Sequence, residues 1–156
     1  MPLFFLIAFF IFVIDQISKM WILYILDLEK IRSIEVFAPY LSFNFAWNKG
    51  INFGLFATND ELIRWLLICF TLLISFFIII YAYRSLFKWW EKILAGCVLG
   101  GALGNIFDRV VHGAVVDFLN MSCCGIVNKY SFNLADLGIF IGVFGLVLFS
   151  YSFSII

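Results

Sequence analysis

The chain has 156 residues, 65% of them hydrophobic and 13% charged, whereas soluble domains are about 45 to 50% apolar and about 25% charged. The formal net charge is zero, which excludes the broad basic surface expected of a nucleic-acid-binding protein. One histidine and four cysteines without C-x-x-C spacing argue against a zinc site. The composition therefore predicts an integral membrane protein.

The first apolar run extends from about residue 3 to residue 26 and contains Asp15 and Lys19. As a helix it would be about 36 Å long, enough to cross a hydrocarbon core of about 30 Å. A signal peptide is the alternative, but the run is longer than an h-region and lacks a basic n-region and a small-residue cleavage site. We expect a retained span in which Asp15 and Lys19, four residues apart, share one face and can pair.

The segment 27–57 has the two-residue periodicity of a strand in aromatic-rich sequence. Apolar Leu41, Phe43, Phe45 and Trp47 alternate there with Ser42, Asn44, Ala46 and Asn48. This pattern predicts a small β-sheet beside the membrane, inserted between the first and second helices.

Three further apolar runs cover about residues 62–83, 93–111 and 134–156, and a capping box at 58–61 precedes the first of them. With the first run they predict an all-α bundle of four transmembrane helices. No long repeat or linker divides the chain, so we expect a single membrane-embedded domain over residues 1–156.

The link between the second and third runs carries Arg84, Lys88 and Lys92. Because basic loops stay in the cytoplasm, both termini are predicted to be cytoplasmic, and residues 27–61 and 112–133 are predicted to face outward.

The third run combines small and polar residues. Gly96, Gly100 and Gly104 recur at four-residue spacing, which favours close packing against another helix. A second stripe on this helix consists of Gly101, Asn105 and Asp108, and Arg109 follows it directly. Polar side chains at membrane depth must face protein or water, so we expect Arg109 to brace Asn105 and Asp108.

Two more aspartates, Asp117 and Asp136, lie near the predicted outer membrane edge. An aspartic peptidase needs two adjacent carboxylates that share one proton, one acting as general base and the other as general acid. Asp117 and Asp136 can supply such a pair. Their spacing alone is more typical of helix caps or interfacial surface, so the chemistry stays open on this evidence.

The ordered motifs resemble the lipoprotein signal peptidase family, and the resemblance covers essentially the whole chain. They are Asp15 to Lys19, Asn48-Lys-Gly50-Ile-Asn-Phe53-Gly54, Gly100-Gly-Ala-Leu-Gly-Asn105-Ile-Phe-Asp108-Arg109, Gly113-Ala-Val-Val-Asp117-Phe118 and Phe132-Asn133-Leu-Ala-Asp136. The resemblance implies that Asp117 and Asp136 form the catalytic dyad. It also implies binding or supporting roles for Asp15, Lys19, Asn48, Gly50, Gly101, Asn105, Asp108, Arg109 and Asn133.

The resemblance further implies the substrate and the setting. The family removes the signal peptide from bacterial prolipoproteins, cleaving on the amino side of a cysteine that carries a diacylglyceryl group. It uses no metal or organic cofactor. We therefore expect a monomer in the bacterial inner membrane, in contact with membrane lipid, with its active site on the extracytoplasmic side. Leu137 departs from the small polar residue that often follows the last aspartate of the family, and Cys123 and Cys124 lie outside the pattern.

Two other classes of protein fit parts of the sequence. A small transporter could use Asp15, Lys19, Asp108 and Asp136 as a proton relay, although four spans without inverted repeats argue against it. A structural subunit could use the same polar residues to pair helices, and it would tolerate asparagine at Asp117 or Asp136.

Overall fold

The computed structural model describes residues 1–50, 61–85, 88–123 and 128–152. The predicted capping box before residue 61, most of the Asn48 to Gly54 motif and the last residues of the fourth run lie outside this part of the chain. The described elements, in chain order, are helix α1 (Pro2–Met20), a π-helical turn (Trp21–Ile25), the short helix α2 (Leu28–Ile31), strands β1 (Ser33–Phe37) and β2 (Leu41–Asn48), helices α3 (Glu61–Ser85) and α4 (Trp89–Val111), strand β3 (Val115–Met121) and helix α5 (Leu134–Ser152).

Among the described residues, three helical segments are long and apolar enough to cross a membrane: Pro2–Ile25, Glu61–Ser85 and Trp89–Val111. The apolar part of α5 that the structure describes, Leu134–Phe149, is shorter. Large apolar side chains are exposed along the outer faces of these helices, as at Phe9, Leu66 and Phe140. Exposed apolar surface of this extent suits a hydrocarbon solvent and not water.

Helix α4 lies at the centre of the bundle. In its most apolar stretch of 18 residues 67% of the residues are buried, against 17% in the corresponding stretch of α3. A methyl group at Gly100 would overlap the carbonyl oxygen of Ala8 in α1, and one at Gly101 would overlap that of Ala135 in α5. Glycine therefore lets α1 and α5 approach two different faces of α4, and the approach of α1 at Gly100 is the close packing that the four-residue spacing of glycines predicts.

The sheet contains three antiparallel strands in the order β1-β2-β3. The strand predicted over residues 41–48 is confirmed as β2. The sheet is not confined to the predicted insertion, because β3 comes from the segment between α4 and α5. Most residues of β3 are buried whichever way they point, so this strand lacks the alternating pattern that reveals a half-exposed strand.

An apolar cluster lies under the sheet and joins it to the bundle. Ile22 from the π-helical turn and Leu28 from α2 pack there with Val116 and Phe118 from β3, all of them buried. This cluster fixes β3 at the end of the bundle where the polar residues of α4 and α5 also lie.

Candidate active site

Asp117 and Asp136 reach the same site from different kinds of secondary structure. Asp117 lies in β3 opposite Ala46 of β2 and is 3% exposed. Asp136 lies in the first turn of α5 and is half-buried. The junction of sheet and bundle therefore brings together two carboxylates that are 19 residues apart in sequence.

Asn133, which is fully buried, contacts both acids. Its Nδ2 donates to Asp117 Oδ1 over 2.6 Å, and its main-chain N–H donates to Asp136 Oδ2 over 3.3 Å. Its own Oδ1 accepts the main-chain N–H of Asp136 over 2.9 Å, which is the bond of a helix N-cap. The residue that begins α5 thus also orients the two carboxylates.

Two further side-chain amides complete the surroundings of the acids. Asn48 Nδ2 donates to Asp117 Oδ2 over 3.0 Å, and Asn105 Nδ2 donates to Asp136 Oδ1 over 2.9 Å. Each of the four carboxylate oxygens therefore accepts a hydrogen bond from a neutral donor. Neutral donors orient a carboxylate without fixing it as a permanent ion pair.

Burial raises the pKa of Asp117 from 3.8 to about 7, and the negative charge of Asp136 adds to the effect. The hydrogen bonds from Asn48 and Asn133 act in the opposite direction but are outweighed. A carboxyl group with this pKa exchanges its proton near neutral pH, as general acid or base catalysis requires.

The predicted pairing of Asp15 with Lys19 is confirmed, and it is part of a larger cluster. Lys19 Nζ lies 2.7 Å from Asp15 Oδ2 and 2.9 Å from Asp108 Oδ2, and all three side chains are at most 3% exposed. Lys19 Nζ also donates to Asn105 Oδ1 over 3.3 Å. The cluster thus connects α1 to the polar face of α4 directly beneath the two acids.

Arg109 bonds to Asn105, as predicted, but through the main chain of Asn105, and its described hydrogen bonds do not include the predicted one to Asp108. Its Nη2 donates to the carbonyl oxygen of Gly50 over 2.8 Å, and its Nη1 donates to the carbonyl oxygen of Asn105 over 3.3 Å. Adjacent helical residues point in different directions, so Asp108 turns toward Lys19 while Arg109 turns toward Gly50. Arg109 therefore connects Gly50 to α4.

The remaining predicted residues do not contact the two acids through their own side chains. The main-chain N–H of Gly50 donates to Asn48 Oδ1 over 3.1 Å, which orients the amide that faces Asp117. Gly101 contributes no side chain, and its close approach to Ala135 positions the start of α5. Leu137 is 42% exposed.

Gln16 belongs to the site and was missed in the sequence. Its Nε2 lies 3.0 Å from Asp108 Oδ1 and 3.1 Å from Asp15 Oδ2. The available signal was an amide side chain in an otherwise apolar span, next to an aspartate.

Within the described part of the chain, no group of three or more histidine, cysteine, aspartate or glutamate side chains is arranged to hold a metal ion. Cys123 is disulfide-bonded, and Cys124 lies outside the described residues.

A family model described as signal peptidase (SPase) II matches residues 7–152. The lipoprotein signal peptidase of Beijerinckia indica is 36% identical over 147 residues, which cover 94% of this chain and 86% of that protein. The lipoprotein signal peptidase of Methylorubrum extorquens is 37% identical over 138 residues, covering 86% of this chain and 77% of that protein.

A solved structure of a bacterial membrane enzyme has a similar fold, with a TM-score of 0.83 at 24% sequence identity. The alignment covers 97% of this chain and 89% of that chain.

Proposed function

Because the chain belongs to the signal peptidase II family, we propose that it removes the signal peptide from prolipoproteins, with Asp117 and Asp136 as the catalytic dyad. The observation that carries the assignment of the dyad is the position of Asn133, which donates to both carboxylates at once. Two acids linked in this way can share one proton, which is the requirement of the aspartic mechanism.

In the proposed reaction the ionised carboxylate takes a proton from a water molecule as the water oxygen attacks the scissile carbonyl carbon. The protonated carboxyl then gives its proton to the amide nitrogen as the carbon–nitrogen bond breaks. The products are a carboxyl group on the signal peptide and an amine on the cysteine. The pair still holds one proton and is ready for another cycle.

The chemistry of the site suits a substrate that is anchored in the membrane. We assign the substrate class as prolipoproteins with a diacylglyceryl-modified cysteine, cleaved on the amino side of that cysteine. Apolar helices on either side of the acids leave the acyl chains in lipid while the peptide enters the polar site. Tethering to the membrane also raises the effective concentration of the scissile bond, so modest peptide contacts suffice.

The proposed arrangement in the membrane follows from the basic link with Arg84, Lys88 and Lys92. In this proposal the chain is a single domain with four spans, both termini lie in the cytoplasm, and the sheet and the two acids lie on the outer side of the bacterial inner membrane. The protein works there as a monomer surrounded by lipid.

The test is cleavage of a diacylglyceryl-modified prolipoprotein by purified protein in lipid or detergent. Wild type is compared with Asp117→Asn and Asp136→Asn at matched folded fraction, since each change removes a titrating proton and keeps the size of the side chain. We expect both variants to fold and to lose cleavage. Near-full activity in either variant, or no cleavage by wild type, contradicts the proposed function.

A further inference from the structure

The carboxylate of Asp15 holds the main chain next to one of the two proposed catalytic acids. Its Oδ1 accepts the N–H of Ala135 over 2.9 Å, and Ala135 directly precedes Asp136. Asp15 and Ala135 are both fully buried. Because Ala135 and Asp136 both lie in the first turn of α5, a bond at the N–H of Ala135 restrains the helical turn that carries Asp136 as well.

The carboxylate of Asp108 does the same for the other acid. Its Oδ2 accepts the N–H of Val116 over 3.1 Å, and Val116 directly precedes Asp117. Asp108 is 1% exposed and Val116 is fully buried. The two acids of the proposed dyad therefore have matching supports, each a buried carboxylate on a neighbouring helix that accepts the preceding amide.

Two side chains of α1 connect these supports to each other. Lys19 pairs with both carboxylates, and the Gln16 amide donates to both, at 3.1 Å to Asp15 and 3.0 Å to Asp108. Gln16 Nε2 also lies 3.4 Å from the carbonyl oxygen of Gly104 in α4. An amide nitrogen carries two hydrogens, which matches the two carboxylates it contacts.

We propose that Gln16 is a positioning residue of the reaction: by holding Asp15 to Asp108 it fixes the separation between the main-chain segments that carry Asp136 and Asp117. This inference rests on the proposed function, since the separation matters only if these two acids act as a pair. Lys19 supplies the charge that makes burial of two carboxylates affordable, and Gln16 supplies a neutral link of fixed length. Catalytic groups must be held within about 0.5 Å of the productive geometry, and a support of this kind meets that need.

Gln16→Met is the informative variant because it removes the donor, keeps the length of the side chain and changes no formal charge. The matched control is Ser18→Ala, on the same helix and also half-buried. Ser18 Oγ donates to the main-chain oxygen of Asp15 over 2.7 Å and not to its carboxylate. Loss of a hydrogen bond near Asp15 is thus common to both variants, and loss of the link to Asp108 is specific to Gln16→Met.

The first readout is kcat and KM for the lipid-modified prolipoprotein across pH, at matched folded fraction. We expect Gln16→Met to lower kcat about tenfold or more with little change in KM, as misplacement of catalytic groups does. We also expect its pH–rate profile to become narrower. Repulsion between two carboxylates separates their two pKa values, and this repulsion weakens when loss of the link lets Asp117 and Asp136 move apart. A smaller folded fraction would lower the measured rate by the same factor at every pH and would not narrow the pH–rate profile.

The second readout is hydrogen exchange of the segments that contain Val116 and Ala135. In Gln16→Met both segments should lose protection together, although they belong to different elements, while α3 keeps its wild-type protection. Ser18→Ala should match wild type in both readouts. If Gln16→Met does not fold, Gln16→Asn takes its place under the same criteria, because its shorter amide cannot span both carboxylates.

The inference is overturned if kcat, profile width and exchange at both segments stay as in wild type. It is also overturned if the variant only loses activity in proportion to its folded fraction. Asp117→Asn is measured in parallel to separate the two proposals. If that variant still cleaves, the dyad assignment fails and the positioning role with it, whereas an inactive Asp117→Asn beside an unaffected Gln16→Met overturns the positioning role alone.

Discussion

The side-chain amide of Asn133 donates to the carboxylate of Asp117 over 2.6 Å, although Asn133 begins a helix and Asp117 lies in a strand. The same residue donates its main-chain N–H to Asp136. Asn133 thus donates hydrogen bonds to both carboxylates, and these bonds lower the repulsion between their negative charges.

The contact at Asn133 predicts a large catalytic effect for Asn133→Ala. Removal of one preorganised donor from an active site commonly costs about 100-fold or more in kcat, and here it also removes the cap of α5. The measurement is kcat and KM on the lipid-modified prolipoprotein at matched folded fraction. Asn44→Ala is the control, because Asn44 lies in the same sheet as Asp117 and its side chain accepts a hydrogen bond from Ser33. Equal losses in the two variants would contradict the assigned role.

The raised pKa of Asp117, about 7, predicts where activity is lost at high pH. The proposed pair must hold one proton, and the proton on Asp117 leaves as the pH rises through that value. We expect kcat to fall over about one pH unit above neutrality. A pH–rate profile measured with one lipid composition tests this, and a plateau that continues far into the alkaline range would contradict it.

The same pKa predicts how stability depends on pH. A carboxyl group whose folded pKa lies above its unfolded value of 3.8 binds more protons in the folded state, so it destabilises the fold progressively between about pH 4 and pH 7. Asp117→Asn removes this penalty. We expect the difference in Tm between the variant and wild type to grow in favour of the variant as the pH rises through this window. Thermal unfolding in detergent measures it, and a difference that does not change with pH would count against burial of a titrating Asp117.

Gly104 predicts a steric effect on the charged cluster. A methyl group at this position would lie 2.6 Å from Asp15 Oδ2, and Asp15 cannot withdraw without losing its contacts to Lys19 and Ala135. We expect Gly104→Ala to cost about 1 to 3 kcal/mol of stability, together with most of the activity.

Gly138→Ala is the control for Gly104→Ala, since its methyl group would meet the side chain of Ile11 at 3.1 Å. An aliphatic side chain can shift by a few tenths of an ångström at small cost. Tm and cleavage measured for both variants decide the matter, and a Gly104→Ala protein as active as Gly138→Ala would contradict the prediction.

The two hydrogen bonds of Arg109 predict that lysine at this position cannot fully replace arginine. Its two terminal nitrogens donate to the carbonyl oxygens of Gly50 and Asn105, and a lysine ammonium does not reproduce this planar fork. We expect Arg109→Lys to lower kcat/KM by about tenfold, the cost of one lost charged hydrogen bond. Arg84→Lys, at an exposed position of α3, should leave kcat/KM unchanged. Equal kcat/KM in the two variants would show that the fork is dispensable.

Much of the architecture could be predicted because apolar length and strand alternation are local signals. The runs that contain α1, α3 and α4 are visible as long, predominantly apolar stretches, and β2 is visible in its alternating aromatic residues. Strand β3 could not be predicted in this way, because burial of nearly all its residues removes the alternation. Its place in the sheet depends on pairing with β2, which is a long-range contact.

The candidate site shows the same limit. Polar residues at membrane depth stood out, so Asp15, Asn105 and Asp108 could be named from the sequence, whereas Asn48 and Asn133 were named only through the resemblance to the family. The pairing of Asp15 with Lys19 could be predicted from their spacing, but the partners of Asp108 and Arg109 could not, because these two residues are neighbours in sequence yet bond to different elements. Gln16 was overlooked because an uncharged amide carries a weaker signal than a charge, although its contacts span two carboxylates.

Asp117 is carried by the sheet and Asp136 by helix α5, the fourth span of the proposed arrangement, so the pair lies across the junction between sheet and bundle. A bilayer that is thinner than the apolar length of the helices makes them tilt, whereas a sheet outside the hydrocarbon, as proposed above, does not experience that force. Helix tilt would then move Asp136 relative to Asp117 without any change in composition of the protein. Bilayer thickness is therefore expected to act on the reaction rate directly, through the geometry of this junction.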